Sequence, residues 1–87
     1  MTEAAKVEHK TREEILADSL TAREQEVMYY QINIDNYSLA LQQIASLPPD
    51  EQVELTDFAK QLRELLASEK LEQKKAKIML EVIKKQV

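Results

Sequence analysis

Glycine, cysteine and tryptophan are absent from these 87 residues, proline occurs twice, and phenylalanine and histidine occur once each. Without cysteine there is no disulfide staple, no thiolate nucleophile, no thiolate metal ligand and no mark of an oxidising compartment. Without glycine, phosphate-cradling loops and tight β-hairpin turns that need positive φ are nearly excluded. The N-terminal stretch MTEAAKVEHK holds no apolar run of the signal-peptide kind, and no window approaches the roughly 18 apolar residues of a membrane span. The expectation is a cytoplasmic protein with no membrane contact, and the Met1 start is what a complete natural chain would have. His9 falls in a stretch expected to be frayed, where a solvated imidazole is the simplest role. No Ser–His pair and no Glu-x-x-His metal motif can be assembled, so no enzyme, cofactor or metal site is expected.

What is present is helical. The prolines in ASLPPDEQVEL divide the chain. Pro48 disfavours helix at Leu47, while Pro49 suits a first helical position followed by Asp50 and Glu51. Upstream, Thr11 and Glu14 form a capping-box pattern. Residues 1–10 are therefore read as a flexible segment and 11–87 as a single helical-hairpin domain, with a helix over about 11–46, a turn at 47–49 and a helix over about 49–86. At 1.5 Å per residue the arms would be about 54 and 57 Å long. Matched arms around a short turn indicate an all-α fold of two long antiparallel helices, a helical hairpin or coiled coil.

Heptad spacing supports this. On the first arm Leu16, Leu20, Arg23, Val27, Tyr30, Ile34, Tyr37, Leu41 and Ile44 recur at alternating steps of four and three. On the second, the spacing suggests Leu55, Phe58, Leu62, Leu65, Glu69, Glu72, Ala76, Met79 and Ile83. Both seams turn polar midway, and a turn near residue 48 would set Glu69 and Glu72 at the height of residues 25–28, where either could pair with Arg23.

Residues 20–27, LTAREQEV, resemble the opening of the DNA-binding helix-turn-helix of LuxR-type response regulators. That resemblance would imply a glycine-containing turn and a cation-bearing recognition helix. The residues that follow, MYYQINIDNYSLALQQIA, contain neither, and no lysine or arginine occurs between Glu24 and Ala59. Such a segment cannot hold phosphates. Thr21 and Glu24 are explained more simply as a second capping box, with a kink near residues 18–21, or as chance within a continuous helix.

The formal net charge is −4, yet from residue 68 onward six cations face three anions. Lys70, Lys74, Lys77 and Lys84 lie roughly along one stripe, with Lys75 and Lys85 beside it. The favoured use of this basic patch is weak pairing with Glu13, Glu14, Asp18, Glu24 and Glu26 on the first arm. The alternative is a nucleic-acid contact.

A core in so short a chain is only marginally stable unless chains associate. Apolar residues left off the seams, Met28, Tyr29, Ile32, Leu39 and Ala40 on the first arm and Ala59, Leu66, Leu71, Ile78, Leu80 and Val82 on the second, exceed what two helices can cover. Met28, Tyr29, Ile32, Leu39 and Leu66, with Tyr37, form the candidate protein interface. The expected function is a non-enzymatic protein–protein interaction module, an adaptor, assembly factor or inhibitor, that forms a homodimeric four-helix bundle or captures another protein.

Overall fold

The structure is a computed structural model that describes residues 10–87. The expected flexible segment, residues 1–10, lies outside the described residues apart from Lys10, and His9 lies outside with it. Three helices follow: α1 (Arg12–Ala45), α2 (Pro49–Glu54) and α3 (Thr56–Lys84). The two long helices pack against each other as an antiparallel hairpin.

The capping box forms as expected at the start of α1. The Glu14 amide donates to the Thr11 hydroxyl at 3.1 Å, and the Thr11 amide donates to the Glu14 carboxylate at 2.9 Å. The Thr11 backbone bond, followed by its side-chain bond, lowers the Glu14 pKa from its ordinary value of 4.5. A carboxyl whose folded pKa lies below its unfolded value contributes stability that is fully present above about that ordinary value and is lost as pH falls through the folded pKa. The first turn of α1 should therefore loosen selectively in mild acid. In Thr11→Ala the Glu14 midpoint, followed by NMR titration, should return part of the way towards 4.5, because the backbone amide of residue 11 still donates to the carboxylate; a midpoint unmoved by the substitution would show that the Thr11 hydroxyl does not act on it.

From there α1 runs unbroken, because nothing between Arg12 and Ala45 removes a backbone donor or admits positive φ. LTAREQEV lies wholly inside it, so Thr21 caps nothing and there is no break near residues 18–21. The helix stops at Ser46, whose hydroxyl donates to the Gln43 carbonyl at 2.8 Å.

The second arm departs from expectation, since it is two helices rather than one starting at residue 49. Gln52 folds back and donates to the carbonyls of Leu47 at 2.7 Å and Ala45 at 3.2 Å, fastening α2 across the end of α1. Leu55 then leaves helical geometry at φ −103°, ψ 13°, and its side chain tucks against the core. The Thr56 hydroxyl bonds back to Val53, and α3 starts there. This corner consumes chain and moves the register by about one helical turn. Gln73 lies beside Val27, Glu69 beside Asn33 and Gln86 beside Arg12.

The α1 seam is the expected one, with Ile34 and Ile44 buried and the other seven positions half-buried. The α3 seam is half corrected. Leu55, Leu62, Glu69, Ala76 and Ile83 hold their places, but the intervening positions are Ala59, Leu66, Gln73 and Leu80, each one residue beyond Phe58, Leu65, Glu72 and Met79. Two physical reasons favour this choice. Ala59 lets the helices approach closely beside the turn, where it clusters with Ile44 and Leu62. Gln73 can be buried because its amide donates to the Val27 carbonyl and to Gln31, whereas burying the Glu72 carboxylate would require a compensating cation.

A candidate protein-interaction surface

Heptad geometry divides the hairpin into two broad faces and two outer edges. One face carries the line Phe58, Leu65, Glu72 and Met79 from α3. Its middle is a shallow pocket where Glu72, Lys75 and Met79 meet Arg23, Glu26 and Tyr30 of α1. The opposite face carries Arg63, Lys70, Lys77 and Lys84 at seven-residue spacing. Beside the turn it holds a second depression, lined by Ala45, Gln52, Val53, Thr56 and Arg63 among others.

Four of the six candidate interface residues are exposed on the outside of α1: Met28 at 65%, Tyr29 at 62%, Ile32 at 52% and Leu39 at 60%. Met28 and Tyr29 lie one turn from Ile32, and Leu39 lies two turns beyond it on the same edge. Tyr37 and Leu66 are placed elsewhere. Both are half-buried in the seam, where Tyr37 packs against the Ile44, Ala59 and Leu62 cluster. Sequence reasoning placed Phe58, Leu65 and Met79 in the seam, whereas they are exposed on the pocket-bearing face; Leu71, Ile78 and Val82, left off the seam by the same reasoning, are exposed too, Val82 at the edge of that face and the other two outside it. The seven-residue recurrence of Phe58, Leu65 and Met79 was the available signal, but it was assigned to the seam.

The polar interactions also differ from expectation. Arg23 pairs within its own helix with Glu26 at 2.9 Å, Glu69 accepts from the Asn33 amide at 3.1 Å, and Glu72 accepts from Lys75 at 3.0 Å. Among the described residues every ion pair stays within one arm, including Lys10 with Asp18 and Lys84 with Glu81. The expected pairing of the basic patch with the acidic first arm is thus not made, and Lys70, Lys74, Lys75, Lys77, Lys84 and Lys85 are all exposed. The arms are joined by amides instead: Gln73 to Val27 and Gln31, Asn33 to Glu69, and Gln86 to Arg12.

Tyr30 sits at the centre of the pocket-bearing face with its ring edge-on to Tyr29, centroids 5.8 Å apart. Desolvation, then the charges of Glu26, Glu72 and Glu69, raises its pKa above 10.0, so the phenol stays protonated and can donate. Among the described residues no three acidic or histidine side chains cluster as metal ligands would, and no helix is long and apolar enough to cross a membrane. The chain matches no family model, and neither a curated protein nor a solved structure shows significant similarity to it.

Proposed function

We propose that the protein is a non-enzymatic protein–protein interaction module of the cytoplasm, working as an adaptor, assembly factor or inhibitor that self-associates and captures a further protein on apolar helix faces. One observation carries this reading. Among the described residues thirteen large apolar side chains are exposed, while the buried apolar set contains only five large ones, Ile34, Ile44, Leu62, Leu80 and Ile83, beside two alanines. Single exposed apolar residues are ordinary; a set that outnumbers the core and runs in stripes along both helices is the pattern of a surface used for association.

The outer edge of α1 is the proposed docking site for another protein. Ile32 and Leu39 supply apolar anchors at helical spacing, and Tyr29 supplies a ring that can keep its hydroxyl wet at a rim. The variant Ile32→Asp with Leu39→Asp should abolish the complex formed there and leave helicity unchanged by circular dichroism, since both side chains point away from the seam. A variant that kept its binding would reduce this edge to a surface stripe.

A second reading has one observation in its favour: the lysines of α3 are not neutralised by the first arm. Nucleic-acid binding through Lys70, Lys74, Lys75, Lys77, Lys84 and Lys85 would fall steeply as salt is raised, which apolar association does not do.

A further inference from the structure

The face centred on the Arg23, Glu26, Tyr30 and Glu72 pocket is built differently from the outer edge of α1. Near the turn it exposes Phe58 at 48% and Leu65 at 40%; near the open end it exposes Met79 and Val82, each at 43%, with Ile15 across from them at 52%. Between these apolar ends lies a polar waist whose charges are already matched, Arg23 with Glu26 and Lys75 with Glu72. We propose that this face is closed by a second copy of the chain, waist on waist, as a twofold dimer of hairpins. The inference rests on the reading that the chain self-associates, and adds which surface does so.

Three features favour a second copy as the occupant. A twofold interface presents the same patch on both sides and must be complementary to itself. Here a rotation carries waist onto waist and each apolar end onto an apolar end, whether the axis runs along the helices or across them. The waist needs no oppositely charged partner, because its two cations and two anions cancel within each copy, so covering it strands no unpaired charge. The area also suffices. The 29 residues of α3 are about 43 Å long, and two helices side by side are about 20 Å wide, giving roughly 850 Å² per copy against the roughly 800 Å² per partner of a stable interface. The opposite face, with Arg63, Lys70, Lys77 and Lys84 in line, stays in water.

Sedimentation equilibrium of the full chain over a wide concentration range tests this, with three variants run beside it. The native chain should have twice the 10.1 kDa mass of one copy. Leu65→Glu with Met79→Glu changes side chains that are partly exposed and lie outside the seam of the single hairpin, so helicity should hold while dimer affinity falls about a hundredfold or more. Glu72→Lys unbalances the waist without touching either apolar end and should weaken the dimer in the same direction. Ile32→Asp with Leu39→Asp should leave the dimer intact. A native chain that is monomeric at every concentration overturns self-association altogether. A dimer that survives Leu65→Glu with Met79→Glu but is lost in Ile32→Asp with Leu39→Asp overturns the assignment of this face alone.

Discussion

Leu62→Ala should abolish most of the cooperative thermal transition of the hairpin, read as loss of the helical circular dichroism signal at a much lower temperature. Leu62 is 5% exposed, the least exposed large side chain among the described residues, and forms the cluster beside the turn with Ile44 and Ala59. Truncating a buried leucine costs about 2–5 kcal/mol, more where neighbours cannot collapse into the space. Here Ala59 is too small to fill the space and Ile44 is held on the continuous helix α1, so the space persists. Domains are stable by only about 0.05–0.15 kcal/mol per residue, and a hairpin in which no large side chain is fully buried belongs at the lower end. The single truncation thus removes a large part of the total. Val53→Ala is the control, because Val53 is 73% exposed and its substitution should stay within about 0.5 kcal/mol. Equal melting of the two variants would mean that the turn-side cluster does not hold the fold.

Gln73→Glu should destabilise the hairpin by about 3 kcal/mol at neutral pH and recover part of that loss in acid. Gln73 is the buried polar residue of the seam, and its amide donates to the Val27 carbonyl at 3.1 Å and to the Gln31 carbonyl at 2.9 Å. Replacing the donor with a carboxylate sets a buried charge against two acceptors, which combines a lost bond with the desolvation of an unpaired ion. Burial raises the folded-state pKa of the new carboxyl above its unfolded value. Stability is then greatest below the unfolded pKa, where the protonated group can donate, and is lost as pH rises through the folded pKa. Gln73→Leu should be close to neutral, because it introduces no charge and the Val27 carbonyl is otherwise part of the α1 ladder. Urea titrations of both variants near pH 4 and pH 7 would check this, and a pH-independent loss in Gln73→Glu would place the side chain in water.

Much of the fold is legible in the residues because it is set locally. Thr11 with Glu14 starts α1, the prolines end it, and the four-and-three spacing from Leu16 to Ile44 marks its inner face without ambiguity. The second arm offers two nearly equivalent lines: Phe58, Leu65 and Met79 are as apolar as Ala59, Leu66 and Leu80. The choice between them turns on what the partner helix can accept opposite residues 72 and 73, a tertiary fact. The Leu55 corner is equally hidden, because it depends on Gln52 reaching back to carbonyls of α1. Once that corner lengthens the turn, the heights of all later side chains change. The lysines of α3 make no pair with the acids of α1, and the rotation of α3 about its axis, rather than its height, sets Leu66 inside and Leu65 and Met79 outside. Four of the six candidate interface residues needed only the α1 pattern, which was correct.

The corner between α1 and α3 also orders the folding of the chain. Ile44 meets Ala59 across only a few turns of chain, whereas Arg12 and Gln86 meet across 74 residues. The loop entropy for each further contact is small once the previous one has formed. The hairpin should therefore close from the turn outward like a zipper and reopen from the other end. Amide hydrogens near Arg12 and Lys84 should exchange fastest and those around Ile44 and Leu62 slowest, so the molecule carries a gradient of lifetime along its length.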